Sequence, residues 1–447
     1  MYNFFVNQLS HSQLPPLQQR APSSPTRVAY YLWHFPIPSE TFIQREIQAL
    51  QNAGLSLQVF ADAPEAVQLF DYQAQPLMQQ THYLLPWNSQ RLSQYRRRFF
   101  SNNPLLYLNL FLYTLGHRYS GYKNFQEDLR IFQTAIYLAG CLQDQHIHHL
   151  HSPWANVTAF IALLASRLAG IPYSVQARAS ADLYRTTARH ALAEKFNNAK
   201  FILTNSQFNR SFIELYLNPR ANVPIHVIYE GLDLSQFTPR EKSQPANPIR
   251  ILCVARLIEE KGVVYLLHAL KLLQDARCSF HCEIVGAPDT PTSTYYQELQ
   301  SLYRQLELQN CVTFLGALPF NAVLKKYDCA DIFVLPSIPA KSGGRDVTPN
   351  ALTEAMAMQL AVVSTNLSGI PEIVEDKVSG ILVPPKNSQA LAQALGELIA
   401  DPDLRKRLGQ NARARVEERF DITKNILPVL ELFKGKRARD SAFQPNQ

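Results

Sequence analysis

The sequence predicts an α/β protein of two Rossmann-like, doubly wound domains facing across a cleft. Three observations carry that prediction. From Arg27 onward, short apolar strings of strand length alternate with amphipathic segments of helix length, the pattern of parallel βαβ units. A polar, Pro-containing stretch at 238–248 (TPREKSQPANP) interrupts the alternation, and a fresh one begins at Arg250. The chain has 447 residues, 46% hydrophobic and 18% charged, which suits two domains with cores of their own and excludes a disordered chain.

Taken in order, residues 1–26 form a polar, Pro/Gln/Ser-rich tail without the apolar centre of a signal peptide. Residues 27–33 (RVAYYLW) read as the first strand. Ser39 reads as the N-cap of an amphipathic helix running through Leu50 (SETFIQREIQAL). Residues 55–61 (LSLQVFA) form a second strand. The region 88–140, rich in Tyr, Phe and Leu, has a helical pattern and is an insertion in the alternation. A short strand at 146–151 (HIHHLH) leads into a helix at 157–169, and strands at 173–176, 201–204 and 225–229 complete an N-terminal domain of residues 27–237. A linker at 238–249 precedes a C-terminal domain of residues 250–410. Its strands are expected at 250–255, 281–285, 312–314, 332–335, 361–365 and 380–383, with helices between and after them. One helix at 411–433 is expected to pack back on the N-terminal domain, followed by a tail at 434–447. Sheets of this kind bind ligands beyond the carboxyl ends of their strands, which puts the site in the cleft.

Six cysteines, mostly within apolar strings, are too few for a disulfide scaffold and read as reduced core thiols. The formal net charge of +7 is concentrated. Six basic residues and no acid lie between Arg91 and Lys123, and the stretch from Arg405 onward carries a net +6, which leaves the remainder at −5. Two basic surfaces are expected. The first interleaves its cations with Phe99, Phe100, Leu105, Leu106, Tyr107, Leu110, Phe111 and Tyr113. That pattern fits a helix lying on anionic lipid, and equally a helical hairpin with a solvated basic face. The most apolar run, 105–115 (LLYLNLFLYTL), is about half the roughly 20 residues needed to span a bilayer. The expectation is a cytoplasmic protein, peripheral on the inner face of the plasma membrane, without a nucleic-acid motif.

The strongest chemical signal lies at 334–385. A strand ends at Leu335, a polar loop holds Gly343, Gly344 and Asp346, and Pro349 opens a helix carrying Glu354. The free N–H groups of a helix start suit a phosphate, with Asp346 and Glu354 on either side for a sugar and a ribose. The same spacing also fits Asp346 as the helix cap and Glu354 as a solvated helix residue. At 254–262 (VARLIEEKG), Arg256 and Lys261 stand where a strand hands over to a helix. They can neutralise a diphosphate without a metal, or pair with Glu259 and Glu260 on the surface. His149 and His151 share one face of a strand but lack the further ligands of a zinc site. Asp401-Pro402-Asp403 reads as turn and cap chemistry.

The ordered blocks VARLIEEKG, EIVGAPD, VTFLGALP, DIFVLPS, DVTPNALTEAMA and SGIPEIVEDKVSGILVPP resemble the C-terminal domain of family-4, GT-B-fold glycosyltransferases. The resemblance covers about 250–415 strongly and extends more weakly through YEGLD and TNSQFNR to PIPSETFIQREI. It implies a retaining enzyme that uses a nucleotide-diphosphate sugar as co-substrate, with no metal and no other cofactor. Arg256 and Lys261 would hold the donor diphosphate, Thr348, Pro349 and Asn350 would turn the helix-start amides toward phosphate, and Glu354 would bind the ribose. Asp346 stands where the family has Glu, a side chain shorter by one C–C bond, ~1.5 Å, at the position that contacts the donor sugar. Where many members carry a cleft His, within SVQARASADLYR, this chain has Arg178, with Asp182 downstream. Arg cannot act as a base, though it can stabilise anionic charge, and a salt bridge to Asp182 is the alternative. His151 and Trp154 are candidates for the acceptor side. The reading is thus a glycosyltransferase acting on a saccharide or lipid-linked saccharide in exopolysaccharide synthesis, with Asp346, Arg256 and Lys261 as its catalytic residues. A catalytically silent relative that binds sugar or nucleotide beside another transferase is the alternative.

Overall fold

The first strand, β1 (Arg27–His34), lies inside its sheet and is buried along nearly its whole length, as a strand covered on both faces must be. The computed structural model describes residues 26–37, 40–65, 75–117, 125–178, 180–184, 191–239, 247–290 and 292–436. These fall into two units. The first holds the residues up to Asn205, Asn209–Ile228 and those from Ile426 on; the second holds Ser206–Phe208 and Tyr229–Asn425.

In the first unit, β1 is followed by β2 (Ser56–Ala63), β3 (Thr81–Tyr83), β4 (His149–Ser152), β5 (Tyr173–Ala177), β6 (Ile202–Thr204) and β7 (Ile225–Val227). The sheet is parallel, in the order β3-β2-β1-β4-β5-β6-β7. The strand order therefore reverses between β1 and β4, which makes that junction the switch point where such sheets bind ligands. Tyr30 pairs in register with His151, and His151 with Ser174, so these three residues form a row across the sheet.

The second unit has its own parallel sheet of β8 (Ile249–Val254), β9 (Phe280–Val285), β10 (Val312–Gly316), β11 (Ile332–Leu335), β12 (Ala361–Thr365) and β13 (Ile381–Val383). The order is β10-β9-β8-β11-β12-β13, with its switch point between β8 and β11. Alternate residues of β8 feed two cores. Ile249, Ile251 and Cys253 pack toward the helices Val263–Asp275 and Ser388–Ala400, while Leu252 packs with Leu352, Met356 and Val416 on the other face.

Several expectations change. The expected helix at 411–433 is two helices, Pro402–Arg419 and Ile422–Phe433. The break is held by backbone pairing. Leu232 N donates to Phe420 O at 2.7 Å and Ile422 N to Leu232 O at 3.0 Å. A Cβ on Gly231 would lie 2.4 Å from the Ile422 Cα, so glycine permits that contact. Leu408, Ala412 and Val416 bury within the second unit. From Ile426 onward, by contrast, Val429, Leu430 and Phe433 join Val28, Tyr30, Ile43 and Ile47 in the core of the first. The strand Thr81–Tyr83 escaped the sequence reading because three residues carry no period. Ser39 and most of the 238–249 linker lie outside the described residues, as do all but the last residue of the 1–26 tail and all but the first residues of the 434–447 tail. Cys141, Cys253 and Cys282 are buried as expected of core thiols, whereas Cys329 is exposed at a helix end.

Candidate functional site

Two loops meet at the switch point of the second unit, one leaving β8 and one leaving β11. The first makes a short helical turn, Glu259–Lys261, and ends at Gly262 with φ +67°. A Cβ there would stand 1.9 Å from the Pro336 carbonyl oxygen, so only glycine allows the two loops to touch. Ile338 N donates to Glu260 O at 2.9 Å, which stitches the loops together. A Cβ on Gly344 would stand 1.7 Å from a Glu260 carboxylate oxygen, so the Glu260 side chain would have to move aside.

This close approach sets Lys261 Nζ against Asp346 Oδ1 at 2.6 Å, with both side chains about 15% exposed. The other Asp346 oxygen accepts from the Ser337 hydroxyl. Asp346 is therefore not the cap of the following helix. That helix, Asn350–Ala357, has Pro349 at its N-cap rather than inside its first turn, and no side chain caps it. Thr348 and Asn350 are half-buried beside Pro349. Glu354 is not a solvated helix residue. It is buried, and its Oε2 accepts from the Tyr327 hydroxyl at 3.1 Å. Arg256 pairs with Asp289 at 3.0 Å rather than with Glu259 or Glu260, and both partners are half-exposed. An exposed pair of this kind holds its partners weakly, by ~1 kcal/mol or less, which leaves the guanidinium easy to redirect toward a ligand.

In the first unit the polar residues at the switch point form one buried cluster. The Tyr30 hydroxyl donates to Glu46 Oε1 at 2.9 Å, and Arg178 Nη2 donates to Glu46 Oε2 at 3.0 Å and to the Gln176 side-chain oxygen. Arg178 also lies 5.1 Å over the Phe42 ring, which meets Trp154 edge-on at 5.8 Å. The expected salt bridge from Arg178 to Asp182 is replaced by a different arrangement. Asp182 accepts from two backbone amides, Ala155 N at 3.1 Å and Arg178 N at 3.3 Å, while the guanidinium turns to Glu46. Lys195 Nζ donates to Ala155 O at 2.5 Å, so the loop bearing Trp154 is held from both sides. Burial lowers the Lys195 ammonium to about 7, with Asp182 and Glu194 opposing that shift.

His149 Nε2 and His151 Nδ1 both bond the Ser174 hydroxyl, at 2.7 and 2.8 Å. Burial holds His149 down at about 3 and His151 well below the ordinary imidazole range, so both rings are neutral. His151 is fully buried against Tyr30 and Phe433, and the half-buried Trp154 is the better placed of the two acceptor candidates. Among the described residues, no three His, Cys, Asp or Glu side chains group as metal ligands.

Residues 235–415 match the family described as Glycosyl transferases group 1. Over that span the chain is similar to the group 1 glycosyltransferases. Along the whole chain, 28% identity over 91% of this sequence relates it to a putative colanic acid biosynthesis glycosyltransferase, WcaL of Escherichia coli K12, 99% of which is covered. The amylovoran biosynthesis glycosyltransferase AmsK of Erwinia amylovora is 36% identical over 44% of this chain and 47% of its own. Among solved structures, Anabaena HepE in complex with UDP and glucose aligns with TM-score 0.67 at 20% identity, over 90% of this chain and 98% of its own. A glycosyltransferase from Rickettsia africae aligns with TM-score 0.68 at 19% identity, over 92% and 98%. These alignments identify the architecture, two parallel-sheet α/β domains of GT-B type.

Within the matched region, Lys261, Asp346, Ser337 and Glu260 gather at one switch point. Arg256 stands on the same loop as Lys261, and Glu354 lies on the helix after the second loop. Ser337, Asp289 and Tyr327 are partners that sequence reasoning did not name. In the first unit it missed Tyr30, Gln176, Glu46 and Lys195, yet the last two carry a signal. Glu46 interrupts the stripe Ile43, Ile47, Leu50, and Lys195 the stripe Leu192, Phe196, so each is a charge on a buried helix face. Asp401 caps the helix Pro402–Arg419 by accepting from Leu404 N at 2.9 Å, in keeping with the turn reading.

The basic segments also resolve. Arg91 and Arg98 flank the Tyr95 ring and both pair with Asp144, so they dock the helix Ser89–Asn102 on the end of the helix Phe125–Asp144 rather than face solvent alone. Phe100, Leu105, Leu108 and Leu112 are exposed, Leu105 by 74%. Arg118 and Lys123 lie outside the described residues. No described helix is long and apolar enough to cross a membrane. The C-terminal cations are less of a surface than expected. Arg405 donates to Ile399 O at 3.1 Å and Arg413 to Ala357 O at 2.6 Å, which satisfies carbonyls at the ends of two helices.

Proposed function

We propose that this chain transfers a sugar from a nucleotide-diphosphate sugar to a saccharide or lipid-linked saccharide, with retention of anomeric configuration and without a metal. The carrying observation is the Lys261–Asp346 contact at the switch point, beside Arg256 and the uncapped start of the helix Asn350–Ala357. Lys261 and Arg256 neutralise the departing diphosphate, the helix amides add N–H donors, and Asp346 aligns the ammonium and reaches the donor sugar. Glu354, steadied by Tyr327, takes the ribose hydroxyls. The acceptor oxygen bonds to the anomeric carbon as the bond from that carbon to phosphate oxygen breaks. The acceptor proton passes to the departing phosphate oxygen, so the products are the glycoside and the nucleoside diphosphate. Polysaccharide assembly as the setting is supported by relatives named for colanic acid and amylovoran biosynthesis. A nucleotide-sugar donor is supported by the HepE structure with UDP-glucose. The test is transfer by the purified chain from UDP-, GDP- and ADP-sugars in the presence of EDTA. Donor binding without transfer or hydrolysis would instead favour a silent sugar-nucleotide binder.

The reading includes an acceptor at a cytoplasmic membrane face, met by the helices Ser89–Asn102 and Pro104–His117. Exposed Leu105, Leu108 and Leu112 would enter the headgroup region, with Arg96 and Arg97 supplying positive charge nearby. Vesicles of phosphatidylcholine with phosphatidylglycerol should carry the protein to the top of a flotation gradient, and those of phosphatidylcholine alone should not. Replacing the three leucines by serine should abolish flotation. A wild-type chain that stays at the bottom with anionic vesicles would remove the membrane from the account.

A further inference from the structure

The segment that joins β4 to the helix Val157–Ala169 leaves the first sheet at its switch point, next to β1. Three fully buried side chains from three elements fix it. Ser152, the last residue of β4, donates its hydroxyl to Trp154 O at 2.8 Å. Asp182, on the helix Ser180–Leu183, accepts from Ala155 N at 3.1 Å. Lys195, on the helix Leu192–Asn197, donates to Ala155 O at 2.5 Å. The amide and the carbonyl of one alanine are thus taken by buried groups of opposite charge. Asn156 then caps the following helix by accepting from Thr158 N at 2.9 Å.

Carrying an ammonium and a carboxylate into the interior is costly even when they are hydrogen-bonded, and a neutral hydroxyl already holds Trp154 O. The arrangement is the kind of supporting shell that keeps a binding group in one place. The group it supports is Trp154. This half-buried residue packs against the core that holds Val28, Tyr30 and Phe433, and meets the Phe42 ring edge-on at 5.8 Å. Phe42 is held in turn by the Arg178 guanidinium, 5.1 Å from its ring centre. The Trp154 indole N–H, by contrast, has no hydrogen-bond partner among the described residues and is open to solvent. A tryptophan so far buried ordinarily pairs its N–H; here the donor is fixed in direction and left for a ligand. The two cations beside it, Arg178 and Lys195, are buried and engaged with Glu46 and Ala155, which disfavours a phosphate. An alkyl chain would leave the N–H unanswered. A sugar ring answers both needs, because its C–H face lies on aromatic surface and its hydroxyls accept from the N–H.

We propose that Trp154 is an open platform for one neutral pyranose ring, its indole N–H donating to a sugar hydroxyl, and that Ser152, Asp182 and Lys195 are positioning residues that hold this platform through the backbone of Trp154 and Ala155. The assignment of that sugar to the acceptor rests on the glycosyltransferase reading above; the binding and the positioning do not.

The test uses the full chain labelled with 5-fluorotryptophan, which gives one fluorine resonance each for Trp33, Trp87 and Trp154, assigned by single Trp→Phe variants. The probes are the methyl glycosides of glucose, galactose, mannose and fucose, with lactose as a disaccharide. At least one should move the Trp154 resonance saturably and leave that of Trp87 in place. By calorimetry, Trp154→Ala should weaken that sugar by about tenfold or more, some 1.4 kcal/mol. Lys195→Gln should shift or broaden the sugar-free Trp154 resonance, spare the other two, and weaken the same sugar. Ser152→Ala removes a bond to Trp154 O without disturbing a buried charge, should act in the same direction, and keeps the test readable should Lys195→Gln unfold. No sugar that moves Trp154, or wild-type affinity in Trp154→Ala, would overturn the platform. An unchanged Trp154 resonance and wild-type affinity in the positioning variants would overturn their role. A thermal shift with UDP-, GDP- and ADP-sugars, run on the same samples, should be the same in variants and wild type. A donor shift that persists where no sugar moves Trp154 leaves the transferase reading standing, so the two failures are distinct.

Discussion

Lys261→Ala should lower sugar transfer by about 10²–10³-fold while leaving the fold intact, as expected when one preorganised electrostatic donor is removed from a transition state. Several features of the loop give this residue its weight. Gly262 lets the loops after β8 and β11 close on each other, and across that approach Lys261 meets Asp346. With Asp346 already bound, the ammonium does not swing in solution and costs little to order when a diphosphate arrives. The pairing also has a cost, because a carboxylate beside an ammonium cancels part of the field that a diphosphate meets. The net attraction must therefore come from Lys261 together with Arg256 and the helix start, and removal of Lys261 leaves Asp346 facing the diphosphate as a like charge. Ser337 still donates to Asp346 in the variant, and the site is near the surface, so the melting temperature should stay within a few degrees of wild type. Steady-state rates with a donor the wild type uses, alongside thermal melting, check both halves. Near-normal turnover in Lys261→Ala would remove the diphosphate clamp from the account.

The largest effect on stability is expected at Arg178→Met. The Arg178 and Glu46 side chains are 1% and 12% exposed, and breaking a buried pair by removing one partner typically costs 3–5 kcal/mol. Glu46 would keep the Tyr30 hydroxyl but lose its counter-charge, and Phe42 would lose the cation over its ring. For a unit of about 250 residues that loss should lower the melting temperature by about 10 °C. The double variant Glu46→Leu with Arg178→Met should recover much of it, because no charge is then left buried alone. Denaturant unfolding of the four proteins of this cycle checks the coupling. A single variant within 1 kcal/mol of wild type would show that the pair does not hold this unit together.

The two loops that meet at the second unit's switch point were legible in the sequence because strand ends and loops carry local signals. Glycines at 262, 343 and 344, and a proline before the helix Asn350–Ala357, mark where the chain must turn or approach closely, and the structure uses Gly262 for the loop contact. Side-chain pairing was not legible. Arg178 lies 132 residues from Glu46, Lys261 lies 85 from Asp346, and Arg256 lies 33 from Asp289. In each case local spacing suggested a nearer partner, Asp182 for the first and Glu259 or Glu260 for the last. The fold instead brought in a carboxylate from another element. His149 and His151 were rightly read as sharing a face, but only the register with β5 reveals that one serine hydroxyl takes both. The end of the chain was misread for a similar reason. The apolar period continues across Phe420 and Asp421, and only the pairing with Leu232 breaks the helix there.

The measurement that tests the central claim most directly is proton NMR of the anomeric signal during turnover. The purified chain is incubated in EDTA with an α-linked nucleotide-diphosphate sugar and a saccharide acceptor. The account predicts a new glycoside with α configuration and one equivalent of nucleoside diphosphate, formed at the same rate with and without EDTA. A β-linked product, or turnover that EDTA abolishes and a divalent cation restores, would contradict it.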